Sequence, residues 1–149
     1  MRFALSIDPA AWKRGGASDA TLALAKRADA GGIDALWLTE DPDGWDAFAV
    51  LGAMSQQTER IELGTGVTNP YVRHPNLIAA SVATLDRLAP GRTFLGLGRG
   101  QPEWYERSLG MEIGSPVRRL DETIDLLRQW ETSETASIEG EFHIRQWTR

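Results

Sequence analysis

The chain has 149 residues, no cysteine, two histidines and a net charge of −5. One domain spanning 1–149 is the simple expectation from that length, and the acidic balance argues against nucleic-acid binding, which shows itself as a basic patch. Disulfides and thiolate metal sites are excluded, no metal is expected from His74 and His143 alone, and no apolar run reaches the ~18 residues of a membrane span.

Taken in chain order, short apolar runs alternate with helical patterns. Phe3-Ala4-Leu5-Ser6-Ile7 is the first run, ending at Asp8-Pro9. Its charges return too soon for a signal-peptide core of ~7–15 apolar residues, so a cytoplasmic protein is the default. Ser18 to Ala30 is helical in pattern, with Ser18 as a candidate cap and Gly31-Gly32 as the stop. Ala35-Leu36-Trp37-Leu38 is the second run and leads to Thr39-Glu40-Asp41. Asp46 can cap the next helix, with Phe48, Leu51 and Met54 at helical spacing. The third run goes from Ile61 to Val67. His74 then precedes Pro75, which suits a first helical position because proline lacks the N–H that would go unused there. Thr93 to Gly98 is the fourth run, and Ser115-Pro116 opens a fourth helix with Val117, Leu120, Ile124 and Leu127 on one stripe. Last comes Ala136 to Ile144, alternating around Gly140 as a small hairpin does. Six tryptophans are many for the length, and core packing is the simplest account of most of them.

Near-continuous apolar runs suit parallel strands covered on both faces. Their starts near residues 3, 35, 61 and 93 give a repeat of roughly 30 residues, which fits a (β/α)8 barrel or a doubly wound sheet. Four units cannot close an eight-stranded barrel alone.

In both folds ligands sit at the carboxyl ends of the strands. Those ends carry Ser6 and Asp8; Thr39, Glu40 and Asp41; Gly66, Val67, Thr68 and Asn69; and Gly98, Arg99, Gly100, Gln101 and Glu103. This is a polar, glycine-rich rim. Asp8-Pro9 is more often a turn than a catalytic carboxylate. Glu40 and Asp41 suit a solvated loop as well as a site. Gly96-x-Gly98-x-Gly100 lacks the spacing and the first-strand position of a dinucleotide fingerprint. His74 at a helix start suits a cap better than a general base. Gly64 and Gly66 permit unusual backbone geometry or close approach of a flat ligand.

The segment Gly64-Thr65-Gly66-Val67-Thr68-Asn69-Pro70-Tyr71, followed by Arg73-His74-Pro75, resembles the bacterial luciferase-like flavin monooxygenase superfamily, in particular its deazaflavin-dependent, methylenetetrahydromethanopterin reductase-like branch. Ala79-Ala80, Thr84-Leu85-Asp86, Gly91-Arg92, Phe94 to Gly100, Leu109-Gly110 and Pro116 extend the match. The resemblance implies an α/β fold of TIM-barrel (β/α)8 type, here about four β/α units, a half-barrel, plus a C-terminal hairpin. It implies a bulge with a non-prolyl cis peptide at Gly66-Val67, backing the ring of coenzyme F420 or alternatively of FMN. Thr39, Gly66, Val67, Thr68, Asn69, Gly98 and Gly100 are the implied cofactor contacts, and Glu103 is the implied catalytic acidic residue. Its implied activity is hydride transfer to or from a small-molecule substrate, with an FMN-dependent monooxygenase as the alternative. The family's barrel is about twice this length, near 250 residues. A half-barrel with open edges is expected to act as a homo-oligomer, a dimer first of all. A self-associating half-barrel without catalysis is the reading from another class.

Overall fold

The computed structural model describes residues 1–7, 17–42 and 44–148, so Asp8 lies outside the described residues. The described chain groups into two compact units. Met1–Thr68 and Ala80–Leu97 form the first, and Asn69–Ala79 and Gly98–Arg149 the second.

The first unit holds a four-stranded sheet in the order β1-β2-β3-β4, made of β1 (Ala4–Ile7), β2 (Ala35–Leu38), β3 (Glu62–Thr65) and β4 (Thr93–Phe94). All three pairings are parallel. This order decides between the two architectures open to the sequence. A doubly wound sheet reverses its strand order at a switch point, whereas barrel strands follow one another. No reversal occurs here, and the fold is of the TIM-barrel type, represented by four β/α units.

Register fixes which face is covered. Leu5 pairs with Leu36 and Leu36 with Leu63, while Ile7 pairs with Leu38. Because alternate residues share a face, this row points one way. Helices α1 (Ala17–Ala30), α2 (Ala47–Ser55) and α3 (Pro75–Leu88) supply Ala25, Ala28, Leu51, Met54 and Leu85 to its core. Leu36, Leu38, Leu51, Met54 and Leu63 are fully buried, each worth roughly 1.5–3 kcal/mol of transfer free energy. Helix α3 runs from the second unit into the first, which takes it up at Ala80.

Asp46 caps α2 as its position suggests, its Oδ1 accepting the Ala49 N–H at 3.0 Å. Helix α1 includes Ala17, one residue before the expected cap position. The fourth strand is also shorter than the apolar run. Only Thr93 and Phe94 join the ladder, and beyond them a single bridge pairs Thr68 with Leu97.

In the second unit, α4 (Pro102–Leu109) is a helix that the apolar pattern does not announce. Pro102 starts it at a position that needs no N–H. Gly110, at φ 64°, ends it in the left-handed conformation that glycine accepts without a Cβ clash. Helix α5 (Pro116–Thr132) is capped by Ser115, whose Oγ accepts the Arg118 N–H at 3.4 Å. The expected hairpin is β5 (Thr135–Glu139) paired antiparallel with β6 (His143–Thr148). Leu126, Ala136 and Phe142 form the buried centre of this unit.

The tryptophans depart from expectation. Among the described residues only Trp45 is buried; Trp104, Trp130 and Trp147 are half-buried and Trp37 is exposed. Trp37 stands on the sheet face opposite the helices, which nothing covers among the described residues. No described helix is long and apolar enough to cross a membrane.

Candidate functional site

In the first unit the carboxyl ends of β2 and β3 are laced together. The β2–β3 ladder ends at Leu38 and Thr65. Past it, the Gly66 N–H donates to the Leu38 carbonyl at 2.8 Å and the Glu40 N–H to the Val67 carbonyl at 3.2 Å. Between these two bonds the Gly66–Val67 peptide is cis, as the resemblance implies. Thr39 Oγ1 donates to the Gly66 carbonyl at 2.9 Å. Trp45, buried behind this corner, donates its indole N–H to the Thr39 carbonyl at 3.1 Å. Nothing in the sequence signals this role of Trp45 beyond its aromatic character.

Thr68 is fully buried, and its hydroxyl donates to the Glu40 carboxylate. Glu40 is therefore half-buried and engaged rather than a residue of a solvated loop. Asp41 belongs to a tight turn, its carbonyl accepting the Gly44 N–H at 2.9 Å. On the β4 side, the Gly96 carbonyl accepts both the Thr68 N–H at 3.0 Å and Thr65 Oγ1 at 2.8 Å. A Cβ on Gly96 would lie 2.2 Å from the Thr65 carbonyl oxygen. Packing between strands accounts for this glycine without any phosphate. Val67 remains exposed amid these polar groups.

The second unit contains the other residues that the sequence nominates. Asn69 is buried, and its side chain is occupied by its own loop. Its Oδ1 accepts the backbone N–H groups of Tyr71 at 3.1 Å and Val72 at 3.3 Å, an Asx-type turn. Its Nδ2 donates to Tyr105 Oη at 3.0 Å. Gly100 has φ 66°, and a Cβ there would lie 2.5 Å from Tyr105 Oη, so both backbone conformation and space require glycine. Gly98 is half-buried. Arg119 lies over the rings of Tyr71 and Phe142, 4.8 and 4.5 Å from their centroids, and donates to the Pro70 carbonyl at 3.2 Å.

Glu103 sits in the first turn of α4, largely exposed, with Arg99 Nη1 3.3 Å from its Oε1. Its own backbone N–H holds its carboxyl below the usual range, Arg99 adds to this, and the little burial opposes it. A carboxylate held ionised can accept a proton or balance a positive charge, but it is a poor proton donor at neutral pH. His74 is exposed at the start of α3, its Nδ1 2.7 Å from Asn76 Oδ1 and 3.4 Å from the Asn76 backbone N, in keeping with a place at the helix start.

A parallel β/α sheet in barrel order, with a polar, cis-peptide-bearing corner at its carboxyl edge, defines the class of protein. The family model described as luciferase-like monooxygenase matches residues 1–149, and the chain belongs to that family. It is 32 % identical over 117 residues to a 5,10-methylenetetrahydromethanopterin reductase of Methanolobus tindarius, covering 78 % of this chain and 36 % of the relative. It is 33 % identical over 132 residues to an F420-dependent glucose-6-phosphate dehydrogenase of Kineococcus radiotolerans, covering 80 % of this chain and 39 % of the relative. The crystal structure of the monooxygenase RslO1 from Streptomyces bottropensis superposes with a TM-score of 0.83 at 27 % identity, over 100 % of this chain and 51 % of that one. The chain thus spans little more than a third of these curated relatives and half of that structure.

Proposed function

We propose that this chain is the cofactor-holding part of an F420-dependent oxidoreductase acting on a small molecule. Its identity of 33 % with an F420-dependent dehydrogenase over 132 residues carries the reading. The first unit's donor set fits such a group. A deazaflavin ring has apolar faces and a polar edge, and here exposed Val67 stands beside the hydroxyl of Thr39 and the carboxylate of Glu40. The hydroxyl of Thr39 already donates within the chain, which leaves its oxygen as an acceptor for a ring N–H, while fully buried Thr68 supports the Glu40 carboxylate from behind. When bound, the deazaflavin supplies the hydride chemistry. The chain's own groups hold and orient it: Gly66 and Val67 through backbone and an apolar surface, Thr39 through its oxygen, and Thr68 by positioning Glu40. In the second unit, Gly98 and Gly100 keep the contacts that the resemblance implies, Asn69 serves by holding the loop through Tyr71, Val72 and Tyr105, and Glu103 keeps its catalytic place as an ionised carboxylate.

The family's description as monooxygenase and the 27 % identity to RslO1 favour one rival, an FMN-dependent oxygenation. Absorbance titration with each cofactor separates the two. Tighter binding of F420 is expected; tighter binding of FMN selects the rival, and binding of neither by the folded chain rejects both.

A further inference from the structure

We infer that Arg119 is a positioning residue for the cofactor: it holds the Asn69–Tyr71 loop in place and, through Phe142, links that loop to the tip of the β5–β6 hairpin. The part that concerns the cofactor rests on the proposed function. The link itself rests on contacts within the second unit.

An arginine on a helix ordinarily extends into water or pairs with a carboxylate. Arg119 is half-buried, and the carboxylate nearly one turn along, Glu122, is taken by Arg118 at 2.8 Å. The guanidinium of Arg119 lies instead over two aromatic rings, 4.8 Å from the centroid of Tyr71 and 4.5 Å from that of Phe142. Both rings belong to buried residues, and a cation over a ring face is held more strongly where water is excluded. Arg119 Nε also donates to the Pro70 carbonyl at 3.2 Å. A planar guanidinium can stack on its face and donate from its edge at once, which a compact ammonium cannot.

Each end of this contact is fixed separately. On the loop side, Asn69 Oδ1 accepts the Tyr71 and Val72 N–H groups, and Tyr71 Oη donates to the Ile113 carbonyl at 2.8 Å. The Asn69 bonds set the form of the loop; Arg119 sets its place against α5. On the hairpin side, the Phe142 N–H donates to Glu122 Oε2 at 3.1 Å, and Glu141 Oε1 accepts the Ser115 N–H at 3.1 Å. The Phe142 ring also meets His74 edge to face, with centroids 5.5 Å apart. The hairpin tip therefore reaches the segment 69–75 twice, at His74 directly and at Pro70 and Tyr71 through Arg119. That segment begins at Asn69, an implied cofactor contact, so its placement bears on the cofactor.

Hydrogen exchange and cofactor titration on the 149-residue chain test this. Arg119→Met keeps an unbranched apolar stem against the rings and removes the charge and the donor. The Tyr71 and Val72 amides should exchange about tenfold faster while those of β5 and β6 stay unchanged, and F420 should bind about tenfold more weakly. Phe142→Leu should act alike from the hairpin side, and the double variant should add little to either single one. Trp147→Phe alters the same hairpin at a ring stacked on Trp130, centroids 4.8 Å apart, and should leave the loop amides and the F420 affinity at parent values. Exchange that quickens evenly through the second unit, with the affinity of the folded chain unaltered, makes Arg119 a stability residue only and overturns the inference. Unchanged loop amides, additive single effects, or a Trp147→Phe chain that behaves like Phe142→Leu overturn it too. If Arg119→Met does not fold, Phe142→Leu against Trp147→Phe decides. A parent chain that binds neither F420 nor FMN, with only the loop amides quickened by Arg119→Met, rejects the proposed function and upholds the link.

Discussion

Asp29 ties the last turn of α1 to the residues that lead into β3. Its carboxylate accepts the backbone N–H groups of Glu59 at 2.9 Å, Arg60 at 3.1 Å and Ile61 at 2.8 Å. The residue is buried, and the guanidinium of Arg60 lies 4.0 Å from the carboxylate. Burial pushes this carboxyl up, but the three N–H donors and Arg60 outweigh it, and its pKa falls below the ordinary 3.8. Asp29→Ala removes three bonds to a charged acceptor, each worth ~1.5–3 kcal/mol in isolation. Because the bonds share one carboxylate they do not add, and water replaces part of the loss at the exposed Glu59 and Arg60. Ile61 is fully buried, so its N–H stays unpaired. A loss of about 3 kcal/mol in unfolding free energy at pH 7 is expected, measured by urea denaturation with circular dichroism. The sign with pH follows from linkage. A carboxyl with a depressed folded-state pKa stabilises fully above its unfolded value and loses that contribution as pH falls through the folded one. The gap between the parent and Asp29→Asn should therefore persist down to about pH 4 and narrow below the ordinary carboxyl value of 3.8. A loss under about 1 kcal/mol at pH 7, or a gap indifferent to pH, would refute the reasoning.

Three further substitutions probe other joints. Gly96→Ala drives a Cβ to 2.2 Å from the Thr65 carbonyl, a backbone atom that cannot swing away; about 3 kcal/mol should be lost, read as a lower urea midpoint with weaker F420 binding. In the second unit, Gly140→Ala puts a Cβ 2.0 Å from Glu122 Oε1, which Arg118 Nε holds at 2.8 Å while Oε2 accepts the Phe142 N–H at 3.1 Å. Roughly 2 kcal/mol should go, and the Phe142 amide should lose hydrogen-exchange protection. Asp46→Ala removes the α2 cap and should cost about 1 kcal/mol, with cofactor binding unchanged if Asp46 serves the helix alone.

Much of the fold was legible because local rules govern it. The runs at Ala35–Leu38 and Glu62–Thr65 are strands, Asp46 and Ser115 are caps, and Gly140 turns a hairpin. What escaped was α4, whose eight residues between a proline and a later glycine are too few to show a repeating apolar stripe. The cis bond at Gly66–Val67 was legible only through a family resemblance, since periodicity is silent on peptide isomers. Asn69 shows the limit at a site. Its type suits a ligand contact, yet its amide is spent on Tyr71, Val72 and Tyr105, the last 36 residues away.

Neighbours a few residues apart were enough to read the β/α alternation, the caps at Asp46 and Ser115 and the glycine-rich strand tips. The tertiary fold was needed to choose barrel order over double winding, since both share one repeat length. It alone revealed the Asp29 staple to residues 59–61, the engagement of Glu40 by Thr68, and the exposure of Trp37. The physical reason is common to all of these. A parallel strand is apolar on both faces, so the face that meets helices and the face opposite look alike until register and partners are known.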